Sequence, residues 1–208
     1  MTRVFFVRHA EVAEQYHRVF GGRLDIELSD RGREQSQVLA RWLNRFSFDA
    51  IYASPMQRVR QTLDPFLSYT SVKPKVAPDF REVDFGDWTG MGWHEVQDKF
   101  GQSAFDWLHQ LDRGGFPNGE SAADLRLRVG RSWLPILADH ADQTIAIFAH
   151  GGVIRMLLAM VLDLPITAME KYEVDYASVS WIDLGHVKAG RARTEIQLLN
   201  FTPWRDMT

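Results

Sequence analysis

Thr144-Ile145-Ala146-Ile147-Phe148-Ala149-His150-Gly151-Gly152 is the stretch on which the fold turns. A short, almost wholly apolar run of this kind predicts a buried strand. The histidine ends it, and Gly151-Gly152 leads into a helix through about Leu162. The same unit recurs on either side. Arg3–Val7 is a second apolar run that reads as a strand and passes into Arg8-His9. Asp49–Ala53 reads as a third, followed by Ser54-Pro55. There the serine is expected to N-cap a helix with Pro55 at its first position, which Met56–Leu67 continue.

The remaining segments fit the same alternation. Ser29 is placed to N-cap a helix in which Val38, Leu39, Trp42, Leu43 and Phe46 recur at helical spacing. Ser121 is placed to cap another, carrying Leu125, Val129, Ile136 and Leu137. Lys73–Ala77, Ser178–Asp183 and Thr194–Leu199 read as further strands, the last two at or near a sheet edge. Phe85–Pro117 is rich in glycine and aromatics and predicts two short helices. It reads as an insertion at about 85–120 over the C-terminal strand ends. Alternating strands and helices imply an α/β fold, three-layer α/β/α with a mostly parallel central sheet. The length, 208 residues, suits a single domain over 1–208.

Composition narrows the chemistry. The net charge is −3, so no global basic field recruits nucleic acid or an acidic membrane. An anion must instead be caught by a local cluster. The absence of cysteine excludes disulfides, thiolate metal sites and a cysteine nucleophile. No stretch approaches the ~20 apolar residues of a membrane span, and Val4–Val7 is too short for a signal-peptide core. A cytoplasmic address is the expectation. His17, His94, His109, His140 and His186 form no metal-ligand pair by spacing, so no metal and no cofactor are expected.

The informative pattern lies in the residues just after each strand. In open parallel sheets, ligands bind outside the carboxyl ends of the strands. If the three runs are parallel neighbours, their ends bring Arg8, His9, Arg58 and His150 to one place, beside helix N-termini. Arginine offers a fork of donors matched to phosphate oxygens. A helix N-terminus adds free N–H groups, and Gly151 lets the backbone approach a ligand. The residues themselves therefore point to a phosphate pocket.

Phe6-Val7-Arg8-His9-Ala10-Glu11 resembles the Arg-His-Gly signature of the histidine phosphatase superfamily, which includes the phosphoglycerate mutases. The resemblance extends through most of the chain. Phe20-Gly21-Gly22 sits where the family has a substrate-contacting loop. Leu28–Gln35 resembles its Leu-Thr-x-x-Gly-x-x-Gln helix start, and Ser54–Thr62 its Ser-x-x-x-Arg-x-x-Gln-Thr block. Glu82–Gly90 resembles its Glu-x-x-x-Gly-x-x-x-Gly block. Pro117–Ser121 and Ala149–Val153 match two more. One departure stands out: Ala10 replaces the usual glycine, a strained substitution if that position needs a positive φ.

The resemblance implies a division of roles. His9 is the expected nucleophile, forming a phosphohistidine, with its other nitrogen held by an acceptor such as a backbone carbonyl. Arg8, Arg58 and His150 are expected to hold the phosphoryl oxygens. Glu82 is expected to protonate the leaving alkoxide and then activate water. Gln15, Gly21, Gly22 and Gly151 are expected to touch the substrate. The implied partner is a small-molecule phosphate ester, and a homodimer is left open. The aromatics of the insertion suit an apolar or ring-bearing leaving group, although at least half of them are expected only to pack it down. The pattern is most similar to the α-ribazole-5′-phosphate phosphatase branch. A mutase, a broad-specificity phosphatase, a protein phosphohistidine phosphatase and a non-catalytic phosphoester binder are the alternatives.

Overall fold

A computed structural model describes residues 1–188 and 191–207, without the side chains of residues 186–188 and 191–192; the side chain of His186 thus lies outside the described residues. The chain opens with strand β1 (Thr2–Arg8) and helix α1 (Asp30–Leu43). Strand β2 (Ala50–Ala53), helix α2 (Gln57–Leu63) and the two-residue strand β3 (Lys75–Val76) come next. Short helices α3 (Trp93–Phe100) and α4 (Trp107–Asp112) occupy the expected insertion. After them stand α5 (Ala122–Asp139), β4 (Thr144–Ala149) and α6 (Gly151–Leu162). The hairpin of β5 (Val179–Lys188) and β6 (Arg191–Phe201) and the short α7 (Pro203–Asp206) end the chain.

The six strands form one sheet in the order β3-β2-β4-β1-β5-β6. β1 to β4 run parallel, and β5 and β6 are antiparallel. The alternation of side chains along β1 sets the two faces. Val4 and Phe6 pack with α5, α6 and the aromatic segment. Phe5 and Val7 pack with α1 and α2 on the other face. All four are fully buried, so truncating Phe6 to alanine would cost ~3–5 kcal/mol. Among the described residues, no helix is long and apolar enough to cross a membrane.

Ser29 caps α1 as its sequence predicts, its Oγ accepting from Gly32 N at 2.9 Å. Ser121 caps α5 in a box with Asp124. The helix expected over Met56–Leu67 departs from the reading at both ends. Its N-cap is Met56, not Ser54, and it has no side-chain cap. The Ser54 hydroxyl is taken by His150 Nε2 at 2.8 Å and lies 3.4 Å from Met56 N. At the other end, Pro65 cannot donate to the helix ladder, and Asp64–Ser68 tightens into a 3-10 turn. The expected strand over Lys73–Ala77 shortens to two residues at the sheet edge.

Candidate active site

β2, β4 and β1 are adjacent and parallel, so their C-terminal ends open on one point. A cavity of about 410 Å³ lies there. Arg8, His9, Gly21, Gly22, Arg58, Glu82 and Gly151 all line it.

His9, the first residue after β1, is buried. Its Nδ1 lies 2.8 Å from the carbonyl of Ala10, which fixes the proton there and leaves Nε2 to the cavity. Burial, followed by the charges of Arg58 and Arg8, holds its pKa well below 6.5. The imidazole is therefore neutral with a free lone pair at pH 7. Ala10 carries no strain: it is absent from the residues with positive φ, its N–H donates to Thr62 Oγ1 at 2.8 Å, and its methyl is buried.

Arg8 stacks on Tyr176, with Cζ 4.3 Å from the ring centroid, and donates from Nη1 to the Val174 carbonyl. Its Nε is buried with no hydrogen-bond partner among the described residues. A buried donor without an acceptor at the base of a pocket is a place for an anion. Arg58, in the first turn of α2, donates to the carbonyls of Leu24 at 2.8 Å and Gly22 at 3.0 Å. Gly22, at φ +43°, has the backbone freedom this bend requires. Burial lowers the pKa of Arg58 to about 10, so it stays charged at pH 7.

His150 sits below the cavity rather than in its lining, with its ring centroid 5.3 Å from that of His9. Arg58 Nε donates to its Nδ1 at 3.2 Å, and Ser54 takes its Nε2. Both nitrogens are thus partnered, and a phosphate oxygen could reach Nδ1 only by displacing Arg58 Nε. Burial, then the charge of Arg58, holds the His150 pKa well below 6.5.

Glu82 faces the N-terminus of α6. One carboxylate oxygen accepts from Val83 N at 2.9 Å and the other approaches Gly152 N at 3.4 Å. The loop behind it is clamped by Arg128 of α5. That guanidinium donates to the carbonyls of Asp79, Arg81 and Glu82, and its Nε/Nη2 edge donates to both carboxylate oxygens of Glu120, at 2.5 and 2.7 Å. Burial works against the Glu120 carboxylate, but the bonds from Arg128 and from Asp84 N prevail and lower its pKa.

Besides His150, the structure separates Gln15 from the cavity lining: it is exposed and lies in a 3-10 turn. Its neighbour Tyr16 lines the cavity. Of the insertion's aromatics, Phe85, Trp93, Phe105 and Trp107 form the walls. Trp88 and Phe116 are buried in the core, and Phe100 packs against it. His94 borders a neighbouring groove, and His109 bonds Glu170 at 2.8 Å across the mouth. The spacing rules missed Arg155, Glu173 and Tyr176, which also line the cavity. Arg155 stands four residues after Gly151 on α6, a one-turn offset that places it on the same face. No local pattern marks Tyr176.

Comparison with known proteins fits this geometry. The chain is 29% identical over 184 residues to phosphoserine phosphatase 1 of Hydrogenobacter thermophilus, covering 88% of this chain and 87% of that one. It is 27% identical to the adenosylcobalamin/α-ribazole phosphatase of Escherichia coli, with 88% and 90% covered. Among solved structures, the α-ribazole phosphatase from Shigella flexneri superposes with a TM-score of 0.81 at 26% identity, covering 96% of each chain. The mycobacterial glucosyl-3-phosphoglycerate phosphatase shares the fold, with a TM-score of 0.84 at 24% identity over 95% of this chain and 98% of that one. The histidine phosphatase superfamily (branch 1) matches residues 4–197, and this chain belongs to it.

Proposed function

We propose that the chain is a metal-independent phosphomonoesterase that works through a phosphohistidine at His9. The observation that carries this is the state of His9: buried, neutral, Nδ1 on the Ala10 carbonyl, Nε2 free, with Arg8 and Arg58 on the same cavity. An imidazole so held is a nucleophile at physiological pH. Its Nε2 lone pair attacks phosphorus as the bond to the leaving oxygen breaks. Arg8 and Arg58 hold the phosphoryl oxygens and offset the developing charge. Glu82 gives its proton to the leaving alkoxide. It then takes a proton from water, whose oxygen attacks phosphorus as the P–N bond breaks. The products are an alcohol and inorganic phosphate, and His9 and Glu82 return to their starting states. In the free protein His150 orients Arg58, and it meets a phosphate oxygen only if that contact opens.

A cavity of about 410 Å³ with aromatic walls suits a small monoester. α-Ribazole-5′-phosphate is one candidate, supported by the relatives named for it and by walls that accept a ring. The test is phosphate release from a panel of monoesters in EDTA, with His9→Ala alongside. Turnover by the native chain and none by a folded His9→Ala variant is expected. Substantial activity in that variant removes His9 as the nucleophile. Stoichiometric ester binding without released phosphate favours a non-catalytic binder.

A further inference from the structure

Arg8 is held more lightly than Arg58, the other guanidinium at the phosphoryl site. Arg58 donates three hydrogen bonds, to the carbonyls of Leu24 and Gly22 and to His150 Nδ1. Among the described residues, the Arg8 side chain donates one, from Nη1 to the Val174 carbonyl. It also has a like charge beside it. A β-carbon built on Gly151 would stand 3.5 Å from Arg8 Nε and 3.3 Å from Arg155 Nη1. A long, flexible cation next to another cation needs a further support to keep one orientation.

Tyr176 gives that support. Arg8 Cζ stands 4.3 Å from the centroid of the Tyr176 ring, well within the range of a cation–π contact. The ring covers one face of the guanidinium, and the Val174 carbonyl takes Nη1. The Nε edge is left beside Gly151, at the N-terminus of α6. The same ring has its centroid 5.6 Å from that of His9. One phenol therefore backs both the nucleophile and the guanidinium next to it.

The loop that carries the ring is tied down on two sides. Ala177 N donates to the His9 carbonyl at 3.1 Å, and Arg8 N donates to the Ser178 carbonyl at 3.0 Å. From the other side, Trp204 Nε1 donates to the Tyr176 carbonyl at 3.1 Å. Arg205 and Asn200 donate to the Asp175 carboxylate at 2.8 and 3.0 Å. Between these anchors Ala177 sits at φ +53°, in the left-handed region that a residue with a β-carbon seldom enters. Strain of this kind persists only where contacts over-determine it, and it gathers at functional sites.

We infer that Tyr176 is a positioning residue, whose ring fixes the plane of Arg8 so that the Nε edge meets the transferring phosphoryl group. This rests on the phosphomonoesterase reading. It concerns the phosphoryl half of the substrate alone and is indifferent to the leaving group.

The experiment takes two measurements on Tyr176 variants: kcat/KM for p-nitrophenyl phosphate and for an alkyl phosphate, and the affinity for inorganic phosphate by calorimetry. Tyr176→Leu should lower kcat/KM about tenfold or more, equally on both esters, and weaken phosphate binding. Tyr176→Phe keeps the ring and should stay within about threefold of the native chain on both measurements. Tyr176→Met serves if the leucine variant does not fold. In an Arg8→Gln background, Tyr176→Leu should cost little more, because its effect passes through Arg8. A merely structural Tyr176 would lower kcat through the active fraction and leave the phosphate affinity of the folded sites unchanged, which overturns the inference. A phenylalanine variant as impaired as the leucine one also overturns it, since the hydroxyl would then act on the substrate directly. So do additive losses in the double variant. Failure of the native chain to hydrolyse either ester overturns the phosphatase reading instead, and the phosphate affinities still decide the role of Tyr176.

Discussion

Gly152→Ala tests the most exacting contact in the site. A β-carbon at residue 152 would stand 2.5 Å from Val83 Cγ2 and 2.7 Å from Glu82 Oε1. Ordinary contacts of this kind are roughly 3.5–4.0 Å, so the Glu82 loop must retreat by about 1 Å. It cannot do so freely, because Arg128 and Glu120 clamp it from behind. A misplacement of ~1 Å costs on the order of 10²-fold in rate. The loss should fall on the step that needs Glu82, protonation of a poor leaving group. The assay is kcat/KM for an alkyl phosphate and for p-nitrophenyl phosphate, whose leaving group needs little proton donation. A loss of ~10²-fold on the alkyl ester and about tenfold or less on the aryl ester is expected. Glu82→Gln should show the same split, and the double variant should lose little more than either alone, because both remove one interaction. Equal losses on the two esters, or additive losses in the double variant, would refute Glu82 as the proton donor placed by Gly152. Full activity of Gly152→Ala would refute the packing argument itself.

The same network governs stability. His9 and His150 both have folded pKa values depressed below 6.5, so below that pH the unfolded chain binds more protons than the folded one. Stability should therefore hold above pH 6.5 and fall as the pH drops beneath it, approaching ~1.4 kcal/mol per pH unit for each histidine. Urea unfolding between pH 7.5 and 5 measures this, and a flat profile would contradict neutral, buried imidazoles. Glu120→Ala leaves the buried Arg128 unpaired and should cost ~3–5 kcal/mol. Thermal melts read the loss, and a shift in Tm of only a degree or two would show that the clamp is dispensable.

The main architecture is legible in the sequence because each buried strand is short, apolar and closed by a polar residue that ends the apolar run. Thr144–Ala149 has the same bounds in the sequence and in the structure because His150 and two glycines punctuate it. Three such strand ends, placed side by side by the parallel order, are enough to imply a phosphate-binding cavity. The reading of Ser54 fails for a tertiary reason. Serine before proline is a sound local cap signal, but the hydroxyl bonds His150, 96 residues away. Ala10 is a question that the sequence leaves conditional. The sequence can flag a missing glycine, but only the backbone shows that the position needs no positive φ.

Residues that reach the cavity from behind its floor are the hardest to read. Arg155 lies within an apolar helix, and one arginine among Val153, Ile154, Met156 and Leu157 suggests a surface stripe. Its burial comes from the 3-10 segment Ile166–Lys171 and the adjoining Tyr172 folding back over α6, an arrangement that no local pattern specifies. The expectation of an apolar entrance rests on the aromatics of the insertion, between Phe85 and Pro117. That reading is incomplete for the cavity, because α6 contributes Arg155 to the lining beside Trp107. The lining of the cavity is therefore divided between two elements with different sequence signals. The insertion supplies aromatic walls that composition reveals. The helix after His150 supplies a charge that becomes visible only when its one-turn offset from Gly151 is laid on a real helix.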